Sequence, residues 1–150
     1  MIINEKQHPN DPIVGCEYVF PVDIDSEMLR IGSNKISVTL VTGKVWHPVY
    51  FTPGSALLTT QESMPPSGRL IESKYEMKIP GGSVDMTAEL NRICGRSIVL
   101  KLTFESGSAI ICGGKNRKLR LLASSTLSTQ KGIVLGFEYK STKDFMWLNQ

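Results

Sequence analysis

The segment at residues 97–112, SIVLKLTFESGSAIIC, decides the fold class of this chain. Its first nine residues are rich in β-branched and aliphatic side chains, a composition that favours a strand. Ser106-Gly107-Ser108 then supplies the small residues that hairpin turns use. The apolar run Ala109-Ile110-Ile111-Cys112 follows at once, and we expect it to pair back against the first strand. The segment therefore predicts a β-hairpin.

Most of the remaining chain shows the same organisation of short strands and turns. Residues 35–41 and 69–79 alternate polar and apolar side chains, which is the period of a half-buried strand. Pro48 has no backbone N–H to donate, so a strand around it should lie at a sheet edge or a bulge. An apolar tail at residues 145–148 should dock onto the body. Further strands are predicted at residues 16–22, 45–51, 55–60, 119–123 and 132–139.

One short helix is predicted at about residues 84–95. Ser83 or Asp85 can cap its first turn, apolar residues recur within it every three to four positions, and Gly95 suits its C-terminal end. A single helical turn is also predicted at residues 26–29. The expected fold class is α+β and mostly β, with an antiparallel sheet, barrel or sandwich and one short helix.

Length and composition indicate one globular domain. The chain has 150 residues, of which 41% are hydrophobic and 21% charged, and its net charge is +3. These values favour a buried core over disorder. We expect a single β-rich domain over residues 1–150, with an N-terminal arm at 1–14 and a loop at 64–68 as a candidate boundary. No signal-peptide pattern and no apolar run of about 20 residues is found, so we expect synthesis in the cytoplasm and no membrane partner.

The residues that usually carry catalysis or bind metals are few and widely spaced. Cys16, Cys94 and Cys112 form neither a C-x-x-C pair nor an even disulfide framework. His8 and His47 have no cysteine, histidine or carboxylate at metal-ligand spacing. We therefore expect a protein that is not an enzyme and that holds no metal and no cofactor.

Two further patterns were weighed for chemistry. Asp23 and Asp25 share a face if they lie on a strand, but the oxygen-rich loop that calcium requires is missing around them. Pro80-Gly81-Gly82 precedes the predicted helix, yet it lacks the lysine and the spacing of a phosphate-binding loop. Both patterns favour turns over sites.

One basic cluster stands out as a candidate partner-binding site. Lys115, Arg117, Lys118 and Arg120 fall within six residues. They could contact an acidic protein neighbour or nucleic acid phosphates, or simply keep a hairpin edge solvated. Aromatic side chains for base stacking are missing from this segment, so nucleic acid is the less favoured partner.

Several runs in the second half of the chain follow one another in a recognisable pattern. These runs are Asp85-Met86-Thr87-Ala88-Glu89-Leu90, the strand and turn at residues 100–108, Ile110-Ile111-Cys112-Gly113, and Lys131-Gly132 with the strand that it opens, to Glu138. The pattern, over about residues 75–148, is similar to that of small, mostly uncharacterised proteins from phage and prophage structural gene clusters of gut bacteria.

The resemblance implies a non-enzymatic virion protein from the tail, neck or baseplate region. Its partners would be other virion proteins or copies of itself, and we expect a homo-oligomer because such parts work as symmetric assemblies. No site residues follow from the pattern. The alternative is a binding module for carbohydrate or nucleic acid. The carbohydrate version requires Trp46, Tyr50 and Phe51 to be exposed and grouped.

Overall fold

The computed structural model describes residues 12–29, 35–80, 88, 92–93, 96–115, 119, 122–126, 132–141 and 146–148. These residues form eleven strands and one 3₁₀ turn, Pro21–Asp23, which lies between the first two strands. The strands are β1 (Ile13–Val19), β2 (Ile24–Leu29), β3 (Lys35–Leu40), β4 (His47–Pro48), β5 (Leu57–Ser63), β6 (Leu70–Pro80), β7 (Val99–Phe104), β8 (Ala109–Cys112), β9 (Leu122–Thr126), β10 (Gly132–Ser141) and β11 (Met146–Leu148).

The strands form two sheets. One has seven strands in the order β2-β3-β11-β8-β7-β1-β4, and the other has four in the order β5-β6-β10-β9. All pairings are antiparallel except that of β3 with β11, which is parallel. The predicted mostly-β fold with antiparallel sheets is therefore confirmed. The helix predicted at about 84–95 lies largely outside the described residues, of which Ala88, Arg92 and Ile93 are helical.

The seven-stranded sheet must curve strongly. β1 and β2 are sixth and first in the strand order, five spacings apart, which is about 24 Å in a flat sheet. The four residues between Val19 and Ile24 span at most about 18 Å. Because the chain crosses this gap directly, the sheet curls until β1 and β2 approach each other. The backbone N–H of Val41 donates to the carbonyl of Asp23 over 2.9 Å and extends the pairing of β2 with β3 by one residue.

The main core lies between the two sheets. β6 alternates as the sequence predicts: Ile71, Tyr75, Met77 and Ile79 are buried, while the four residues that alternate with them are exposed. This arrangement arises because successive strand residues point to opposite faces. The residues of the seven-stranded sheet that join this core include Cys16, Tyr18, Leu100, Leu102, Phe104 and Cys112.

A second, smaller core fills the concave side of the curved sheet. It contains Val19, Ile24, Ile36, Val99 and Ile111, with Trp46 and Leu148 packed against it. β7 and β8 therefore bury residues on both faces, as their nearly continuous apolar sequences indicate. This double burial explains why residues 97–112 carry the clearest strand signal in the chain.

The structure corrects several predicted elements. Residues 26–29 belong to strand β2 and not to a helical turn, because their backbone pairs with β3. The predicted strand at 45–51 is limited to His47–Pro48, which lies at a sheet edge as Pro48 indicated. The docking tail at 145–148 becomes β11, a strand inserted between β3 and β8.

The predicted arm and boundary loop have clear positions in the described chain. Residues 1–11 of the arm lie outside the described residues, while Ile13 and Val14 already belong to β1. The loop at 64–68 joins β5 and β6, which pair with each other along the whole length of β5. Gly68 closes this loop with a φ of 119°, a conformation that glycine adopts readily.

Candidate protein interaction surface

Among the described residues, no group of three histidine, cysteine or carboxylate side chains could hold a metal ion. His47 is exposed on the edge strand β4, and its ring packs 5.3 Å from the ring of Tyr18. Asp23 lies in the 3₁₀ turn, with Nζ of Lys44 4.0 Å from its carboxylate. Asp25 is exposed on β2. Asp23 and Asp25 do not lie beside His47, so these described side chains do not form a common site.

The thiol of Cys16 is buried in the main core and is chemically quiet. Burial raises its pKa from 9.0 to about 12, with a smaller upward contribution from the charge of Glu17 and an opposing hydrogen bond to Tyr75. The pKa of the Tyr75 hydroxyl is also raised, mainly by burial. A thiol nucleophile needs a lowered pKa and solvent access, and Cys16 has neither. Cys112 is likewise a buried thiol.

Of the predicted basic cluster, only Lys115 belongs to the described residues, while Arg117, Lys118 and Arg120 lie outside them. The backbone N–H of Lys115 donates to Oε1 of Glu27 over 2.7 Å, and its Nζ lies 3.5 Å from the carbonyl oxygen of Asp25. These contacts tie the segment after β8 to β2. The described end of the cluster therefore has an intramolecular anchoring role.

The aromatic residues around His47 do not form a common exposed platform. Trp46 packs against the smaller core, with Nζ of Lys101 4.9 Å from its ring centroid. Phe51 is buried in the main core, and Tyr50 is 65% exposed. A carbohydrate platform needs several aromatic faces open to solvent side by side. Of these three aromatic residues, Tyr50 alone is exposed.

An apolar groove lies between β1 and the segment at residues 48–54. Its volume is about 660 Å³, and its lining includes Ile13, Val14, Val49, Tyr50 and Ile93. Glu17 is the one charged residue among the described residues that line it. Its carboxylate already pairs with Nζ of Lys101 at 3.3 Å. The groove is therefore suited to apolar side chains and not to a charged ligand.

In the described part of the chain, the groove runs along a strand edge that is open over part of its length. β4 pairs with β1 at Glu17 and Tyr18, and the N–H of Val49 donates to the carbonyl of Cys16 over 2.8 Å. Beyond this bond, no strand in the described ranges pairs with Ile13–Gly15 on that side. The first three residues of β1 therefore present strand backbone beside an apolar groove.

A bulge at Val14 shapes this edge. Ile13 faces Phe104 and Gly15 faces Thr103, so Val14 is an extra residue on β1. Its side chain is 56% exposed. Val14 and Tyr50 thus place exposed apolar side chains on opposite walls of the groove. Exposed apolar clusters beside strand edges are typical of protein contact sites.

The four-stranded sheet ends in a second open edge, at β5. This strand is seven residues long and stands first in the strand order, with β6 on its inner side. It contains no proline, lysine or bulge, three features that often protect edge strands from pairing. Its one charged residue, Glu62, pairs with Arg69 of the same chain. Leu57 at its start is 58% exposed. β5 therefore offers an unprotected strand edge.

Comparison with protein-family models, with curated proteins and with solved structures finds no match to this chain. No helix within the described ranges is long and apolar enough to cross a membrane. The candidate interaction surface is therefore identified from the strand edges, the groove and the exposed apolar side chains of the chain itself. Pro48 marks the edge position in the sequence, but the groove combines the start of β1 with residues about 35 and about 80 positions further along the chain, and no local pattern indicates it.

Proposed function

We propose that the chain is a non-enzymatic structural subunit of a phage or prophage particle, in the tail, neck or baseplate. It acts through protein–protein contacts with copies of itself or with other virion proteins. The sequence resemblance supplies the virion context. The open edges of β1 and β5 supply surfaces suited to assembly, because strands from neighbouring subunits can extend a sheet across an interface.

The unprotected β5 edge carries this proposal. Its exposed threonines, Thr59 and Thr60, favour extended backbone, and its outward side has no described strand beside it. Antiparallel pairing with β5 of a second copy, centred on Thr60, brings position 59 of one copy opposite position 61 of the other. Such a two-fold contact is self-complementary and yields a sheet of eight strands across two copies.

A double substitution tests this contact. Thr59→Lys with Gln61→Lys places lysines opposite each other across the proposed pair, and like charges directly opposite destabilise strand pairing. We expect the assembly to dissociate to a smaller species when measured by light scattering after size exclusion. A variant with Thr39→Lys and Thr42→Lys adds the same charge on exposed residues away from β5 and should keep the wild-type mass.

The virion context has its own test. Terminase, portal or tail-sheath genes beside the gene for this chain would support a particle component, as would its detection in purified particles by mass spectrometry. A gene neighbourhood without any phage structural genes, together with absence from purified particles, would contradict it.

A further inference from the structure

We propose that the apolar groove beside β1 binds the N-terminal segment, residues 1–11, of a second copy of this chain. This inference rests on the proposed function, because it names one contact by which the subunits assemble. The bound segment would extend the curved sheet by pairing with the open start of β1, and its apolar residues would fill the groove. Exchange of an identical terminal element between copies is a common route to assembly.

The position of the groove at the start of the described chain supports this occupant. Pro12 lines one end of the groove, and eleven residues precede it. The open edge at Ile13–Gly15 is about 10 Å long, while eleven extended residues span about 36 Å. The segment is therefore long enough to leave one subunit and cover the open edge of another.

The chemistry of the two surfaces also matches. The segment begins Met1-Ile2-Ile3, three consecutive apolar residues, and continues with polar residues. The exposed walls of the groove are formed by Val14 and Tyr50. Burial of isoleucine side chains against such walls is the main favourable term in an apolar contact. Strand pairing along β1 would add backbone hydrogen bonds.

Pro9 and Pro12 favour a second copy, and not the same chain, as the source of the segment that binds the groove. The tight two-residue turns of β-hairpins need a positive φ at their first residue, whereas proline holds φ near −65°. Pro9 and Pro12 therefore disfavour a tight reversal immediately before Ile13. Residues before a proline also prefer extended backbone, which applies to His8 and Asp11. We therefore infer that the groove receives this segment from a second copy and not from the same chain.

Complementation between two full-length variants tests the inference. The first, Ile2→Asp with Ile3→Asp, has a defective segment and an intact groove. The second, Val14→Asp, has an intact segment and a defective groove. We expect each variant alone to self-associate at least about tenfold more weakly than the wild type, because buried aspartate is costly in an apolar contact. A mixture of the two should regain association, since one intact segment then meets one intact groove.

Matched controls keep the test decisive. Val22→Asp introduces the same charge at an exposed valine outside the groove lining and should keep wild-type association. If circular dichroism shows that Val14→Asp disturbs β1, Tyr50→Asp on the opposite wall serves as the groove variant instead.

Each remaining outcome has a distinct meaning. Failure of the mixture to associate more tightly than either variant alone would overturn exchange between copies. Wild-type association by both variants would overturn the groove contact, while assembly through β5 and the proposed function would stand. A wild-type chain that remains monomeric at every concentration would overturn both self-contacts, and would overturn the proposed function as well if the chain also fails to bind other virion proteins.

Discussion

The hydroxyl of Tyr75 donates a hydrogen bond to Sδ of Met77 over 3.2 Å, between two fully buried side chains on the same face of β6. The thiol of Cys16 also contacts this hydroxyl. The ring of Tyr75 packs 5.6 Å from that of Phe137. A tyrosine hydroxyl in a core usually finds an oxygen or nitrogen partner, whereas this hydroxyl contacts two sulfur atoms. Because sulfur is a weaker hydrogen-bond partner, the ring of Tyr75 should contribute more to stability than the hydroxyl.

Tyr75→Phe should therefore cost about 1 kcal/mol or less, because thioether and thiol groups are weak hydrogen-bond partners. Tyr75→Ala removes the ring as well and should cost about 3–5 kcal/mol through lost burial and a residual cavity. Urea unfolding of both variants measures the two values. Equal losses for the two variants would show that the hydroxyl, and not the ring, supplies the stability.

Alkaline pH should destabilise the protein through Cys16. The folded-state pKa of its thiol is about 12 and the ordinary value is 9.0, so above pH 9 the unfolded chain releases a proton that the folded chain keeps. The stabilisation is complete below pH 9 and is lost as pH rises towards 12, by about 1.4 kcal/mol per pH unit.

Urea unfolding at pH 8.5 and pH 10 checks this prediction in the wild type and in Cys16→Ala. The wild type should lose about 1 kcal/mol more than the variant between these two pH values. The difference between the two proteins isolates Cys16, since other titrating groups are common to both. Parallel pH dependences would contradict a raised pKa at Cys16.

Gly136→Ala should be strongly destabilising because β6 and β10 approach closely there. A Cβ on Gly136 would overlap the backbone carbonyl of Tyr75, which cannot move without disturbing the strand pairing. We expect a loss of about 1–3 kcal/mol, near the upper end, in thermal or urea unfolding. Gly15→Ala is the matched control, since its Cβ would meet Thr103 Cβ at an ordinary 3.4 Å. Similar losses for both variants would contradict this account.

Glu27 should stabilise the segment that follows β8. Glu27→Ala removes the acceptor for the backbone N–H of Lys115 and should cost about 1–2 kcal/mol. Glu27→Gln retains an acceptor oxygen and should cost less than half as much. Lys115→Met leaves the backbone N–H in place and should also have a small effect. Urea unfolding ranks the three variants, and a larger loss for Lys115→Met than for Glu27→Ala would assign the anchoring to the lysine side chain instead.

Period-two alternation and turn residues made much of the fold predictable from the sequence. The strand β6 and the turn at Gly107 follow from local patterns, because side-chain alternation and positive φ are decided within a few residues. Residues 26–29 of β2 were predicted as a helical turn, because their strand conformation depends on pairing with β3. β11 likewise gains its parallel pairing from a distant strand.

The interaction surface was less predictable for the same reason. Pro48 correctly indicated an edge strand, since the missing N–H is a local property. The groove requires the start of β1 and residues 48–54 to meet, and the bulge at Val14 exists only relative to β7. The basic cluster was the most visible charge pattern, yet Lys115 contacts β2 of its own chain.

The central claim is that this chain works by assembling with other subunits through its open strand edges. Sedimentation equilibrium of the full chain, from low to high micromolar concentration, tests it most directly. We expect a defined oligomer with a mass that is a multiple of 16.6 kDa. A mass of 16.6 kDa at every concentration, with no association with other virion proteins, would contradict the claim.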